Sequence, residues 1–369
     1  MVGVTSLESS MLTQVVSPTD LDWQGCLNTL PHDFYHLPGY LELEATRCNA
    51  TPEAIIIKDG EEVFFLAYLV RDCQQVSDPH KFELEQISDA ISPYGYPGML
   101  VSQSGQNPRF ITKCLNTIYD RWHQKNICSA FIRLHPILNS YIDSSICNSS
   151  RERLCQRGDV VICDLTNSLE AIWQQIRSSH RTKINKLKRA GFTVRMVPMA
   201  KYLDTFIDIY LETMHRVNAT NTYYFTRDYF NGLFKVLGDR INICAVELDG
   251  EIVAASLITE FSGIVQYHLG GTRTKFLPQS PTIIMFDYMI RWAKQRDNQY
   301  LNLGGGLGGD RDSLYHFKSG FSDLVKSFAT IETIIDRDIY DRLTQEKATS
   351  LGLTISELQA APFFPAYRS

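Results

Sequence analysis

The apolar positions of this chain follow two rhythms, and the pair of rhythms occurs twice. Ala54-Ile55-Ile56-Ile57-Lys58 is a β-branched run that meets Asp59-Gly60 and resumes as Glu61 to Val70. Asp-Gly between such runs predicts a hairpin, because glycine accepts the positive φ of a tight turn. The same design returns as Ile243 to Leu248, then Asp249-Gly250, then Glu251 to Phe261. After each hairpin the period lengthens to that of an amphipathic helix led by proline, Pro108 through Arg121-Trp122 and Pro281 through Arg291-Trp292. Proline suits a first helical turn, whose N–H groups have no intrahelical acceptor. A strand follows each helix, at 130–134 and at 300–303. Four elements recurring in order predict one α/β module present twice. Two more helices are expected at 203–216 and 229–237, between a strand at 192–197 and the second hairpin. The stretch 155–165 marks a boundary. The expected division is an N-terminal module over 1–155, a C-terminal module over 156–340 and a peripheral tail over 341–369.

Composition narrows the class. Of 369 residues, 44% are apolar and 21% charged, a balance that allows a sizeable core and excludes wholesale disorder. The net charge of −5 means that any contact with nucleic acid must rest on a local basic patch. Residues 1–16 show no basic segment followed by an apolar core, so no signal peptide is expected. The longest uncharged apolar stretches, such as 63–70, fall far short of the ~18–20 residues of a spanning helix. Nine cysteines without a Cys-x-x-Cys pair argue for reduced thiols and against a disulfide scaffold or a zinc site, and no metal site is expected. The expected location is cytoplasmic, with peripheral contact at the inner face of a membrane left open.

Four segments carry candidate chemistry. In Ser178-Ser179-His180-Arg181-Thr182-Lys183-Ile184-Asn185-Lys186-Leu187-Lys188-Arg189-Ala190-Gly191, six of the residues from Arg177 to Arg189 are basic. On a helical wheel Arg177, Arg181 and Lys188 gather on one arc, while Trp173, Ile176, Ile184 and Leu187 gather on another. The basic arc is either a solvated face or an anchor for phosphates. Gln266-Tyr267-His268-Leu269-Gly270-Gly271-Thr272, followed by Pro281, is a strand that runs through Gly-Gly toward a helix start, where backbone N–H groups can meet an anion. His268 reads either as a site residue or as a hydrogen-bonded core histidine. Leu303-Gly304-Gly305-Gly306-Leu307-Gly308-Gly309 places five glycines in six positions after a strand, which either leaves room for a ligand against the backbone or makes a surface loop. It is not a P-loop, since no Gly-Lys-Ser/Thr follows at the required spacing. Lys318, set among Phe317, Gly320 and Phe321, is a cation in apolar company that can offset charge on a tetrahedral intermediate. Finally, Thr213-Met214-His215-Arg216 precedes Tyr223-Tyr224-Phe225. Arg216 either complements its helix dipole or points at an anionic substrate group. No Ser-His-Asp order, His-Glu-x-x-His or paired-carboxylate pattern stands out.

These segments, in this order, resemble the C-terminal module of the FemABX family and its GNAT-like relatives. The likeness rests on the basic helix ending at Gly191, on Thr213 to Arg216 with the aromatic Tyr223-Tyr224-Phe225, and on Gly270-Gly271-Thr272 with Pro281. It continues through Leu303-Gly304-Gly305 and Tyr315-His316-Phe317-Lys318-Ser319-Gly320-Phe321, which is similar to the family's Phe-Lys-x-Gly-Phe signature. In the first half, Asp89-Ala90-Ile91-Ser92-Pro93-Tyr94-Gly95-Tyr96-Pro97-Gly98 resembles the Tyr-Gly-Tyr motif of the acetyltransferase-like branch.

The resemblance implies an α/β fold of tandem GNAT-like modules, with mixed sheets flanked by helices, and transfer of an acyl or aminoacyl group to an amine. It implies no tightly bound cofactor; acyl-CoA or aminoacyl-tRNA serves as co-substrate. The acceptor expected from the family is a cell-envelope or polysaccharide precursor, held in a cleft between the modules. Lys318 is the expected charge-stabilising residue, with His268, Tyr267 and Tyr224 for proton transfer or positioning. Arg181, Lys183 and Arg216 are expected to hold anionic groups, beside Tyr223, Gly270, Gly271, Gly304 and Gly305. Two features depart from the bridge-forming enzymes: Gly98-Met99-Leu100-Val101-Ser102 lacks their acidic residue, and no coiled-coil insertion is present. Nor is there a clear Arg/Gln-x-x-Gly-x-Gly/Ala pyrophosphate loop, so both donors stay open. The rival expectation is a GNAT-like duplex without catalysis that binds a nucleotide-linked or polysaccharide precursor.

Overall fold

The computed structural model describes residues 11–75, 86–147, 149–360 and 363–369. Residues 1–10 of the stretch read for a signal peptide, and Ala361-Pro362 of the tail, lie outside them. The strands are β1 (Leu12–Val16), β2 (Ala50–Asp59), β3 (Glu62–Asp72), β4 (Ser88–Ile91), β5 (Leu100–Val101), β6 (Ile127–Arg133), β7 (Glu152–Asp164), β8 (Thr193–Val197), β9 (Ile241–Leu248), β10 (Glu251–Phe261), β11 (Ile264–Thr272), β12 (Tyr300–Gly304) and β13 (Val325–Ile334). The helices are α1 (Leu21–Leu27), α2 (Pro38–Cys48), α3 (Pro108–Gln124), α4 (Leu169–Gln175), α5 (Ser178–Arg189), α6 (Met199–Arg216), α7 (Arg227–Leu237), α8 (Thr282–Gln295), α9 (Ser313–Lys318), α10 (Arg337–Leu351) and α11 (Ile355–Ala360).

Two compact units emerge. One holds the described residues up to Arg157 together with Phe328–Ser369, and the other holds Gly158–Ser327. In the first, the strand order is β1-β2-β3-β4-β6-β13, antiparallel throughout except for the parallel pair β4–β6. In the second, the order β8-β9-β10-β11-β12-β7 repeats that plan, with β11–β12 as the parallel pair. The twofold module read from the hydrophobic rhythm is therefore a twofold topology.

Local chemistry explains the elements. Asp249 and Gly250 both adopt positive φ, and Leu248 pairs with Glu251 across them, as a two-residue primed turn requires. The first hairpin turns one residue later than expected: Asp59 pairs with Glu62, so Gly60-Glu61 is the turn and only Gly60 carries positive φ. α3 buries Phe110, Ile111, Cys114, Leu115, Ile118, Tyr119 and Trp122, an apolar stripe at helical spacing, and Asn107 caps it by accepting from Phe110 N–H at 2.9 Å. α5 ends as its glycine predicts: Gly191 sits at φ +88 and Phe192 N–H returns to the Leu187 carbonyl at 3.2 Å.

Two expectations are corrected. The basic segment is the single helix α5, but the helical wheel does not carry back to Trp173, because Ile176 and Arg177 break the helix between α4 and α5. Ile176 is buried in the core and the Arg177 N–H donates to the Gly320 carbonyl at 2.8 Å, so tertiary contacts override helical periodicity there. The tail is no peripheral appendage, and 328–340 does not belong with the second module. Tyr340, Leu343, Leu358, Ala366 and Tyr367 form one apolar cluster with Cys73, Ile87 and Cys128 of the first unit. The fully buried Tyr367 hydroxyl lies 2.7 Å from Ser129 Oγ. Among the described residues no helix is long and apolar enough to cross a membrane, and all nine cysteines are free thiols.

Candidate functional site

The parallel pair of the second unit is short. β11 and β12 are joined only over Ile264–Gln266 and Tyr300–Asn302. Beyond that point β11 keeps its pairing with β10 as far as Thr272, while β12 ends at Gly304, so the two strands fork. A bulge sits just past the fork: Leu257 faces Leu269 and Ile258 faces Tyr267, which leaves His268 as the extra residue of β11. Bulges re-aim side chains at the places where pairing stops.

Lys318, the last residue of α9, spans this fork. Its Nζ donates to the Gly305 carbonyl, just past the end of β12, at 2.7 Å. It also lies 5.6 Å from the centre of the Tyr267 ring, on β11. Only 6% of the residue is exposed. Burial pulls the ammonium down from its ordinary 10.5 to about 8, and the Asp312 charge recovers part of that loss. The partner that holds Lys318 in place is thus a neutral carbonyl.

Several residues fix that position. Asp312 caps α9, accepting from Tyr315 N–H at 2.9 Å and from Leu307 N–H at 3.1 Å. His180 at the start of α5 pairs its Nε2 with the Phe317 carbonyl at 3.0 Å and packs on the rings of Phe317 and Phe321. Gly320 lies so close beneath His180 that any side chain there would collide with the imidazole. Burial lowers the His180 pKa, which keeps it a neutral positioning group. The Tyr267 phenol is pushed up to about 12 by burial, against a smaller opposing effect of the Ser256 hydroxyl. Gly270 closes over that phenol: a Cβ there would come within 2.6 Å of its oxygen. Ser256 in turn donates to the Leu269 carbonyl at 2.7 Å.

The fork therefore gathers Lys318, Tyr267, Gly270, Gly304 and Gly305, with His268 on the bulge. Gly304 takes φ +75 and presents its bare face to Lys318 Nζ, 3.2 Å from where a Cβ would stand. Gly305 differs from expectation: its face is filled by the Asp159 carbonyl, so the glycine serves close backbone packing, and its own carbonyl is what meets Lys318. The other residues lie around the end of β11 and on α5. Arg216 donates to the Thr272 carbonyl at 3.1 Å and to Thr274 Oγ1 at 3.0 Å, and Gly271 lets α6 approach β11 at Thr213. The Tyr223 carbonyl accepts from the Tyr210 hydroxyl at 2.7 Å, and Tyr224 packs on His215. Arg181 bonds Gln174 at 2.7 Å, and Lys183 reaches the Pro278 carbonyl at 3.3 Å. Sequence reading missed His180, Ser256 and Asp312. The basic run hid His180, while Asp312 three residues before Tyr315 was a legible cap signal.

Residues 174–319 match the family model of the acetyltransferase (GNAT) domain. Among solved structures, FemX is similar at 12% identity with a TM-score of 0.68, over 90% of this chain and 99% of that one. L-PGS from Bacillus licheniformis is similar at 14% identity and TM-score 0.52, over 88% and 95%. A conserved protein of unknown function from Bacteroides thetaiotaomicron reaches 10% and 0.52, over 88% and 99%. No curated protein matches the chain. The fold is that of FemX, and the resemblance to the FemABX and GNAT-like family is borne out.

Proposed function

We propose that this chain transfers an acyl or aminoacyl group from acyl-CoA or aminoacyl-tRNA to an amine of a cell-envelope or polysaccharide precursor, in the cytoplasm or at the inner face of the membrane. The observation that carries the proposal is Lys318: a buried ammonium held at a strand fork by a neutral carbonyl. A GNAT-type domain supports acyl transfer as the class of reaction.

The amine nitrogen attacks the donor carbonyl directly. A C–N bond forms, the carbonyl oxygen becomes an oxyanion, and the C–S or C–O bond to the carrier then breaks. Lys318, still mostly protonated at pH 7, gives the oxyanion a partner it lacks in the ground state. Interactions that appear only in the transition state raise kcat, and charge stabilisation in a dry site is the strongest of them. Tyr267, kept protonated by its high pKa, hydrogen-bonds the leaving atom; it passes its proton to that atom as the bond breaks and is reprotonated by the proton the attacking amine gives up. Arg181, Lys183 and Arg216 take the phosphates of the donor.

The test is thermal shift and calorimetry with acetyl-CoA, longer acyl-CoAs and mixed aminoacyl-tRNA, followed by turnover with amine acceptors. A true donor at a hundred times its Kd stabilises the fold by about 2.7 kcal/mol. Stabilisation by CoA esters that Arg181→Ala abolishes assigns the acyl-CoA donor; stabilisation by charged tRNA alone, weakened by salt, assigns the other. Binding of a donor without transfer to any amine would overturn the enzymatic reading in favour of a binding protein.

A further inference from the structure

From the residue before β7 onward, every second position but one is arginine: Arg151, Arg153, Cys155, Arg157. Alternate residues of a strand share a face, so three guanidinium groups project together. They line a cavity of about 580 Å3 inside the first unit, whose other walls come from β13, α10 and the residues around Phe363. That volume lies within the range of small-molecule sites. It has no part in the fork described above.

The charges there do not cancel. Glu332 on β13 is the buried carboxylate of the cavity, and it is shared between Arg153, at 2.6 Å, and Arg157. Arg157 is further fixed by Thr330, to whose hydroxyl its Nε donates at 2.9 Å. Glu152, the second carboxylate of the lining, accepts from the Tyr119 hydroxyl. Arg337, the exposed first residue of α10, brings the lining to four arginines against two carboxylates, with Arg151 also 3.3 Å from Asp120. Arg153 is 74% exposed in its side chain, so most of its N–H groups are open to a ligand. This surplus stands on a chain whose net charge is −5.

Three rings, Tyr340, Phe363 and Phe364, are among the other wall residues, and Phe131 stacks behind them. Phe131, Phe364 and Tyr340 form a continuous stack, with ring centres 6.3 and 5.8 Å apart. The guanidinium groups of Arg133 and Arg157 lie over the Phe131 ring. Phe363, at the lip, leaves 53% of its surface in water. An anion alone gives no reason for that ring to stand open. A planar base stacked on it covers the ring, and such stacking contributes ~1–3 kcal/mol per base. Guanidinium forks match phosphate oxygens in pairs.

We infer that this cavity is an accessory site for a nucleoside diphosphate, with the base on Phe363 and the phosphates between Arg153 and Arg337. The inference does not depend on the acyl-transfer reading. The probes are ADP, GDP, CDP and UDP, with the free nucleosides and pyrophosphate as controls, titrated calorimetrically into the full chain. At least one nucleoside diphosphate binds, while its nucleoside and pyrophosphate each bind at least tenfold more weakly. Arg153→Ala with Arg337→Ala lowers that affinity at least tenfold, Phe363→Ala lowers it severalfold, and Arg181→Ala leaves it unchanged. Arg153, Arg337 and Phe363 are exposed and Arg181 is half-buried on the surface of α5, so the variants fold. The inference fails if no nucleoside diphosphate binds or if pyrophosphate binds as tightly. It also fails if binding survives the double variant and falls with Arg181→Ala, which would assign the nucleotide to the donor site.

Discussion

The parallel strand pair occurs in both units, and the two copies end differently. In the first unit, β4 and β6 part after Ile91 and Phe131, and the chain stitches the gap at once. Ser92 N–H donates to the Phe131 carbonyl at 2.9 Å, Arg133 N–H to Ser92 Oγ at 2.9 Å, and Gly98 N–H to the Arg133 carbonyl at 2.8 Å. In the second unit, β11 and β12 part after Gln266 and Asn302, and a side chain, Lys318, stands across the gap. The buried charges beside the two forks differ in the same sense. Asp89, on β4, is fully buried and accepts from Arg71 at 2.7 Å, from Tyr367 at 3.1 Å and from Arg368. Lys318 has a carbonyl and the more distant field of Asp312. A buried charge with a complete set of partners holds a fold together, whereas one with an incomplete set waits for a ligand.

The largest effect expected is on the satisfied side. Arg368→Ala removes one partner of Asp89 and leaves a buried carboxylate short of counter-charge, a loss of about 3–5 kcal/mol in unfolding free energy. Transfer activity per folded molecule stays at the parent value. Chemical denaturation with activity measured at low temperature reads both. A variant that is as stable as the parent but inactive would reverse the assignment of roles.

Lys318→Met is the converse. The two side chains are close in volume, and the methionine needs no water. We expect kcat to fall by about 10²–10³, the usual loss when one charge-stabilising donor is removed. Stability is expected to rise at pH 7, by up to ~2–3 kcal/mol, because the ammonium is depressed from 10.5 to about 8 in the folded chain. The sign follows from proton binding. Between those two values the unfolded chain holds a proton that the folded chain has released, so the parent gains stability as pH rises through that window. The advantage of the variant should therefore shrink from pH 8 to above 10.5, as paired melting curves across that range would show. A variant that is less stable at pH 7 and still active would make Lys318 a structural residue.

Sequence alone gives access to whatever is local. Both hairpins, both proline-led helices and Lys318 were legible because their signals lie within a few residues, as Phe317 and Phe321 flank the lysine. The Asp89–Arg368 bond was not, since its partners stand 279 residues apart. Nor does the apolar pattern of β13 say which edge it joins, so sequence alone does not place 328–340 with the first unit. The glycine-rich loop announced a close approach without naming what approaches. At Gly305 it is the chain's own Asp159 carbonyl.

The smallest effect tests the stitch itself. Ser92 is 2% exposed, and its hydroxyl accepts the Arg133 N–H that extends the first fork. Ser92→Ala strands that donor while leaving the Ser92 N–H bonded to the Phe131 carbonyl, at a cost of about 1–3 kcal/mol. If the first fork is purely structural, kcat and KM for both substrates stay at parent values while the denaturation midpoint falls. A change in KM for the acceptor with no change in midpoint would mean that the first fork also touches substrate. The contrast would then lie between acceptor and donor sites rather than between scaffold and site.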